Sequence, residues 1–397
     1  MRIRAVIGKN FGDEGKGLAT DYLAMLSLRE DRSCVVVRHN GGAQAGHTVE
    51  IDDKRFIFKE IGSGAFRGAD TLWASTFMPD LFKLAEEVEG FAAQGGRLPK
   101  IMSAPDCPLT YIDDILINMS LEVRRGDKRH GSCGMGIDEA KRRSSVPDFK
   151  ITPHDICSGT AESFLKKLQF LRDEYLPSRL EVLNLDPSSI GEYGEMLQDP
   201  NVLYNYCEQM CRNSELITIV PEAAVKTYDD IIFEGAQGLI LDEENLAFAP
   251  NLTSSRTGLT NPAAFLNKLE ITTPGEAIYV TRTYVTKHGA GRFPYEDEKL
   301  HFDDKTNIRN EWQGTIRFAA HGSEEEFNEY VIRDIEGTSF VPALLLTHVN
   351  ETSDNVLTRY GAVSVKEWIS RINTNGLYDR FLISDSRFAD DIRTVQK

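Results

Sequence analysis

An apolar run, Ile3-Arg4-Ala5-Val6-Ile7, leads directly into Gly8-Lys9-Asn10-Phe11-Gly12-Asp13-Glu14-Gly15-Lys16-Gly17, and no other segment restricts the fold as tightly. A strand that ends in a glycine turn and feeds a helix aims backbone N–H groups and the positive helix end at an anion. Lys16 adds a point charge for outer phosphates. The spacing differs from the usual P-loop, because Asn10 stands where that motif has its first glycine and Gly17 where it has Ser or Thr. With the magnesium-binding hydroxyl missing, Asp13 is the nearest hard oxygen ligand. The segment is therefore a P-loop-like turn with a carboxylate built into it, which points to chemistry on a nucleotide.

Apolar runs of strand length recur at 2–8, 34–39, 230–234, 277–285, 342–348 and 380–384, and helical spacing at 16–28, 79–92, 161–174 and 364–373. Ser364 is placed to cap the last of these helices. The alternation predicts an α/β fold, with a mostly parallel central sheet, helices on both faces, and ligands at the carboxyl ends of the strands. The glycine turns after 2–8, 34–39 and 230–234 would converge there. With no repeat, low-complexity tract or clear linker, residues 1–397 read as a single domain with a helix-rich excursion at about 105–225.

A formal charge of −16 argues against nucleic acid or an anionic membrane as partner. Positive charge is concentrated instead in Arg124, Arg125, Lys128, Arg129, His130, Lys141, Arg142 and Arg143, beside a glycine turn, as a phosphate site would require. The N-terminus lacks a charged leader with an apolar core, and no window approaches a membrane span, so a cytoplasmic protein is expected. Cys34, Cys107, Cys133, Cys157, Cys207 and Cys211 show neither a secreted framework nor a second pair that would complete a zinc site, and read as free thiols.

The Gly-Asp-Glu-Gly-Lys-Gly turn resembles the opening of the adenylosuccinate synthetase family. Val35-Val36-Val37-Arg38-His39-Asn40-Gly41-Gly42-Ala43-Gln44-Ala45-Gly46-His47-Thr48 is similar to the second family signature. Phe233-Glu234-Gly235-Ala236-Gln237-Gly238, with Leu241-Asp242 and Leu252-Thr253-Ser254-Ser255, is similar to the third. Gly131-Ser132-Cys133-Gly134-Met135-Gly136-Ile137 resembles the family's phosphate loop, and Gly289-Ala290-Gly291-Arg292-Phe293-Pro294 its later Gly-x-Gly-x-Phe-Pro turn. These blocks run in family order to about residue 295.

The resemblance implies a magnesium-dependent ligase, dimeric in the family, that uses a nucleoside triphosphate to phosphorylate the 6-oxygen of a purine nucleotide. An amino acid, aspartate in the family, then displaces the phosphate. It implies that Asp13 removes the purine N1 proton, that His47 protonates or hydrogen-bonds the 6-oxygen, that Asp21 orients this histidine, and that Lys16 assists. A carboxylate beside a phosphate site and a histidine near neutral pH suit those roles. Asp13 and the Gly46 carbonyl are implied for magnesium. The triphosphate falls to Gly12, Glu14, Gly15, Lys16, Gly17, Gly46, His47 and Thr48, with His348 and Asn350 at its base. Gln44, Ser132, Cys133, Gln237 and Thr253 are implied for the purine nucleotide, together with Arg142 or Arg143 reaching the partner subunit's phosphate.

Two departures bear on specificity. Where the family carries an arginine-rich loop for aspartate, this chain reads Asn310-Glu311-Trp312-Gln313-Gly314-Thr315-Ile316-Arg317-Phe318, leaving Thr315 and Arg317, with Arg309 nearby, for the carboxylates. The family's Thr-Lys-Leu-Asp guanine reader is replaced by Thr347-His348-Val349-Asn350. An asparagine offers one acceptor and one donor, which suits adenine as well as guanine, so GTP and ATP both stay open as donors. The departures are shared with the phage branch, which acts on deoxyguanylate, although that branch loses the acid that Asp13 retains. A nucleotide-binding sensor or scaffold is the nonenzymatic alternative.

Overall fold

The computed structural model describes residues 1–126, 134–302 and 314–395. β1 (Arg2–Gly8) is followed by α1 (Lys16–Arg29), β2 (Cys34–Arg38) and a hairpin of β3 (His47–Ile51) and β4 (Lys54–Phe58). Then come β5 (Asp70–Trp73), α2 (Leu81–Ala93) and β6 (Ile101–Ser103). Between these and β7 (Thr218–Ile219) lie α3 (Ile112–Arg125), α4 (Ile137–Ser144), α5 (Pro153–Cys157), α6 (Ala161–Phe170), α7 (Leu176–Val182), α8 (Glu192–Gln198) and α9 (Pro200–Asn213). The chain continues through β8 (Asp230–Glu234), α10 (Thr260–Lys268), β9 (Gly275–Arg282), β10 (Val285–Lys287) and β11 (Arg317–Ala319). It ends with α11 (Glu324–Ile335), β12 (Phe340–Thr347), β13 (Asn355–Thr358), β14 (Gly361–Ser364), α12 (Val365–Ile372), β15 (Arg380–Ile383) and β16 (Arg393–Val395).

Ten strands form one sheet in the order β16-β15-β12-β9-β1-β8-β2-β5-β6-β7. Every neighbouring pair is parallel except β15 with β16. Central parallel strands are covered on both sides, which is why β1 and β8 read as almost unbroken apolar runs. Alternation then sorts their side chains. Ile3, Ala5 and Ile7 pack with Phe265 of α10, Phe327 of α11 and Trp368 of α12, whereas Val6 packs with Ala19 and Leu23 of α1. A third cluster joins Trp73 to Phe91 of α2, Leu168 of α6 and Met210 of α9, and so ties the helical excursion to the sheet.

The six strands expected from apolar runs all form, with one division. The run at 277–285 is two strands: β9 ends at Arg282, with Thr283 N making a last bond to Thr347 O of β12, and β10 then pairs antiparallel with β11 instead. Ser364 caps α12 as expected, accepting from Glu367 N at 3.3 Å. The hairpin β3–β4 and the short strands β5, β6 and β7 carry too few apolar residues in sequence to signal themselves. Among the described residues the cysteines are free thiols, and no helix is long and apolar enough to cross a membrane.

At the amino end of the central strands Asp230, buried, gathers Arg2, Arg32 and Ser27 within 2.6–2.8 Å, with Arg4 4.0 Å away. Burial opposes its ionisation, but the hydrogen bonds of Arg2, Arg32 and Ser27 win and hold the carboxyl well below the usual range. Asp230→Ala takes the shared counter-charge from these arginines and should cost about 2 kcal/mol, less than the full cost of breaking a buried pair because Arg2 and Arg32 reach solvent and Arg2 keeps Glu30. Chemical denaturation at pH 7 measures this. The effect should shrink as acid protonates Asp230, because a depressed carboxyl contributes stability only above its native pKa; an unchanged midpoint would reduce the cluster to surface decoration.

Candidate active site

The carboxyl ends of β1, β2, β8, β9, β12 and β15 open into a cleft of about 1490 Å³. Its floor is the turn from Gly8 to Gly17. Gly15 has φ 99°, a conformation that favours glycine, and it starts α1 with its first amides turned towards the cleft. A Cβ on Gly17 would lie 2.8 Å from Thr48 O and 3.1 Å from His47 Cβ, so glycine there lets the β3 hairpin rest on α1. Glu14 turns inward, accepting from Asn10 N and lying 3.7 Å from the Lys16 ammonium. Burial pushes its carboxyl up, with Lys16 opposing. Gly12, Asp13, Lys16, Gly46 and Thr48 line the cleft beside Glu14, Gly15 and Gly17.

Asp13 is itself left-handed, with φ 59°. Its carbonyl accepts from Arg282 Nε at 2.6 Å and its Oδ2 lies 3.1 Å from His288 Nε2. Burial opposes ionisation, but the hydrogen bond and charge of His288 outweigh it and hold the carboxyl below its ordinary value. Asp13 is thus ready to accept a proton as a carboxylate. His288 carried no expectation from the sequence, although its place beside the Gly289-Ala290-Gly291 turn was a signal.

His47, at the start of β3, is 5% exposed. Its Nδ1 lies 2.8 Å from Glu234 Oε1 and 2.9 Å from Arg38 Nη1. Arg38 Nη1 in turn meets Glu234 Oε2 at 3.0 Å, and Ser63 N donates to the same oxygen at 3.1 Å. Burial pushes His47 down to about 4, against the pull of Glu234. Burial likewise opposes Glu234, yet His47 and the Arg38 charge beside it, with the Ser63 hydrogen bond, hold it ionised, well below the usual carboxylate range. The Nε2 of His47 is buried without a hydrogen-bond partner among the described residues. With Nδ1 fixed by a carboxylate, Nε2 is the atom left to exchange a proton.

This arrangement corrects the expectation for Asp21. Asp21 faces away from the cleft and forms an ion pair with Arg67, Nη2 to Oδ2 3.0 Å, so Glu234 is the acid that orients His47. Adjacent helical positions point about 100° apart, and this separates the two arginines of α4. Arg143 is fully buried, forked on Asp114 at 2.8–3.0 Å and bonded to Leu109 O and Phe149 O, so it cannot reach a phosphate. Arg142 remains exposed at the cleft, 2.8 Å from Asp138.

Of the residues expected at the purine nucleotide, Gln44, Gln237 and Thr253 line the cleft together. Thr253 Oγ1 donates to Gln237 Oε1 at 3.0 Å, and both amide atoms of Gln44 are buried without a partner among the described residues. Ser132 and Cys133 lie outside the described residues. So does Arg309. His348, with φ 60°, and Asn350 line the far rim beside Asp385 and Phe388 of the loop after β15. Thr315 and Arg317 do not line the cleft. Arg317 forks onto Glu296, Nε to Oε1 2.7 Å, and bonds the carbonyls of Gly289 and Gly291, so the carboxylate-binding role expected of it is taken up within the protein.

The family pattern described as adenylosuccinate synthetase matches residues 5–316. Adenylosuccinate synthetase of Gloeobacter violaceus is 31% identical over 295 residues, 73% of this chain and 62% of that protein. The enzyme of Thermoplasma volcanium is 28% identical over 306 residues, 74% and 64% of the two. The chain thus spans less than two thirds of the length of these curated relatives. Among solved structures, adenylosuccinate synthetase from Plasmodium falciparum superposes with a TM-score of 0.71 at 16% identity, covering both chains fully. Succinoaminodeoxyadenylate synthetase of cyanophage S-2L, bound to dGMP and dATP, gives 0.59 at 13% identity, covering 100% of this chain and 96% of the other. At those identities the likeness establishes the fold. Since the family pattern takes in most of its length, the chain belongs to the adenylosuccinate synthetase family.

Proposed function

We propose that the protein is a carbon–nitrogen ligase that joins an amino acid, L-aspartate by family, to C6 of a 6-oxopurine nucleotide, IMP by family, at the expense of a nucleoside triphosphate. One observation carries this reading: an ionised Asp13 and a Glu234-oriented His47, on separate segments, share one cleft with a glycine turn suited to phosphate. A protein that only bound nucleotides would need no such base and acid pair. The cleft divides accordingly, with Gln44, Gln237 and Thr253 available to the acceptor nucleotide and the rim of His348 and Asn350 to the donor base.

In the first step Asp13 takes the N1 proton, the 6-oxygen attacks the γ-phosphorus, and the bond to the diphosphate breaks. With Nδ1 committed to the Glu234 carboxylate, His47 carries a second proton on Nε2 when the anionic oxygen arrives and donates it as a hydrogen bond to the oxygen in transit, and Lys16 with the first amides of α1 holds the phosphate charge. In the second the amine attacks C6 and the 6-phosphate leaves with its oxygen. Among the described residues no three His, Cys, Asp or Glu side chains converge as a metal cage. Asp13 and the Gly46 carbonyl suit Mg²⁺ nonetheless, because that ion is commonly held by one or two carboxylates plus substrate phosphates, whose negative charge it offsets.

Mixing IMP, GMP or dGMP with GTP or ATP, aspartate and magnesium, and measuring phosphate release and product mass, tests the reading. Product from IMP supports it, and product from dGMP with ATP or dATP assigns the phage-type reaction. No phosphate release with any pair, despite nucleotide binding, would leave the sensor or scaffold.

Donor choice has its own test. Asn350 is exposed at the cleft rim and presents one acceptor to guanine's two N–H groups. Asn350→Asp should shift the ratio of specificity constants towards GTP by roughly 10- to 100-fold, the worth of about 1.5–3 kcal/mol for a hydrogen bond to a charged group. Competition between GTP and ATP in one reaction reads that ratio. A strong native preference for GTP that the substitution leaves unchanged would remove Asn350 from base recognition.

A further inference from the structure

We propose that His288 is a positioning residue for Asp13, holding the carboxylate by Oδ2 so that Oδ1 is the oxygen that takes the proton. The inference rests on the reading of Asp13 as the base. Three contacts from one segment grip the phosphate turn at this point. Arg282 Nε donates to Asp13 O at 2.6 Å, Thr286 Oγ1 donates to Gly12 O at 3.1 Å, and His288 Nε2 meets Asp13 Oδ2 at 3.1 Å. The first two fix a main chain whose aspartate is left-handed. The third fixes the side chain, which is 30% exposed to the cleft.

The support under His288 is rigid. Lys287, its neighbour, pairs with Arg317 in the β10–β11 ladder, and Arg317 Nη1 also donates to Gly289 O at 3.0 Å on the other side of His288. The imidazole therefore projects from a segment anchored before and after it, and a base gains from such support because small misplacement at the reacting atoms is costly in rate. Glu234 does the same for His47, so each half of the proton-handling pair has its own holder, Glu234 at the end of β8 and His288 just after β10.

The test compares His288→Val, which removes the donor, with His288→Gln, which retains one at similar reach, and with Asp13→Asn in parallel. His288→Val should lower kcat about tenfold or more while KM for each nucleotide stays within about threefold, and His288→Gln should restore kcat to within about threefold of native. In crystals of the valine variant the Asp13 carboxylate should leave its native position, and in those of the glutamine variant keep it. A valine variant with native kcat, a glutamine variant no better than valine, or an unmoved carboxylate would each overturn the proposal. Native turnover in Asp13→Asn would instead overturn the reading of Asp13 as the base, a result distinct from failure at His288 alone.

Discussion

Asp13→Asn should lower turnover by at least about a hundredfold, the size expected when a general base is lost. The amide keeps the shape of the carboxylate, and the backbone contacts to Arg282 and Thr286 do not involve the side chain, so the phosphate turn should stay in place. What disappears is the acceptor for the N1 proton and the negative charge beside the phosphates. Single-turnover measurements of γ-phosphate transfer, with thermal melting as a check on the fold, separate these effects. Turnover near that of the native protein, with magnesium dependence unchanged, would exclude Asp13 from the mechanism.

Glu234→Gln should act almost as strongly through a residue that touches no substrate. The carboxylate is fully buried between His47 and Arg38, and it favours a proton on the imidazole when an anionic oxygen arrives at Nε2. An amide of the same shape removes that bias, and a kcat loss of about a hundredfold is expected, in the range for a positioned acid. The KM values should change little, because the interaction matters most in the transition state. Stability should fall too, since Arg38 would be left buried without its counter-charge; the cost of breaking a buried pair is about 3–5 kcal/mol. His47→Asn provides the comparison, with a similar loss in kcat and a smaller loss of stability. A Glu234→Gln variant that melts early but turns over normally would make the triad structural only.

The error over Asp21 shows where sequence reasoning ran out. Asp21 is near the phosphate turn along the chain, but α1 directs it at Arg67. Glu234 is 187 residues from His47 in sequence. It arrives because β2 and β8 pair in parallel with Arg38 opposite Glu234, a register that no local pattern reveals. The same limit applies to His288, whose partner lies on another strand's turn. The apolar runs of β1, β2, β8, β9, β12 and β15 were legible because each is covered on both faces; the β3 hairpin, with one face open, left no comparable trace.

Strand order has a consequence for how such a protein can diverge. The base and acid arise from the turns after β1 and β2, with the acid's holder at the end of β8, and these three strands are adjacent at the middle of the sheet. The rim of His348 and Asn350, with Asp385 opposite, stands on β12 and β15, two and three places away from β1. Residues on that rim make no hydrogen bond to His47 or Glu234 among the described contacts. On the proposed reading, substitutions there would exchange one fuel nucleotide for another while leaving the buried contacts among Arg38, His47 and Glu234 in place. A lineage whose cellular nucleotide supply changed would thus have a short mutational path open to it, along loops, which tolerate sequence change better than the strands they join.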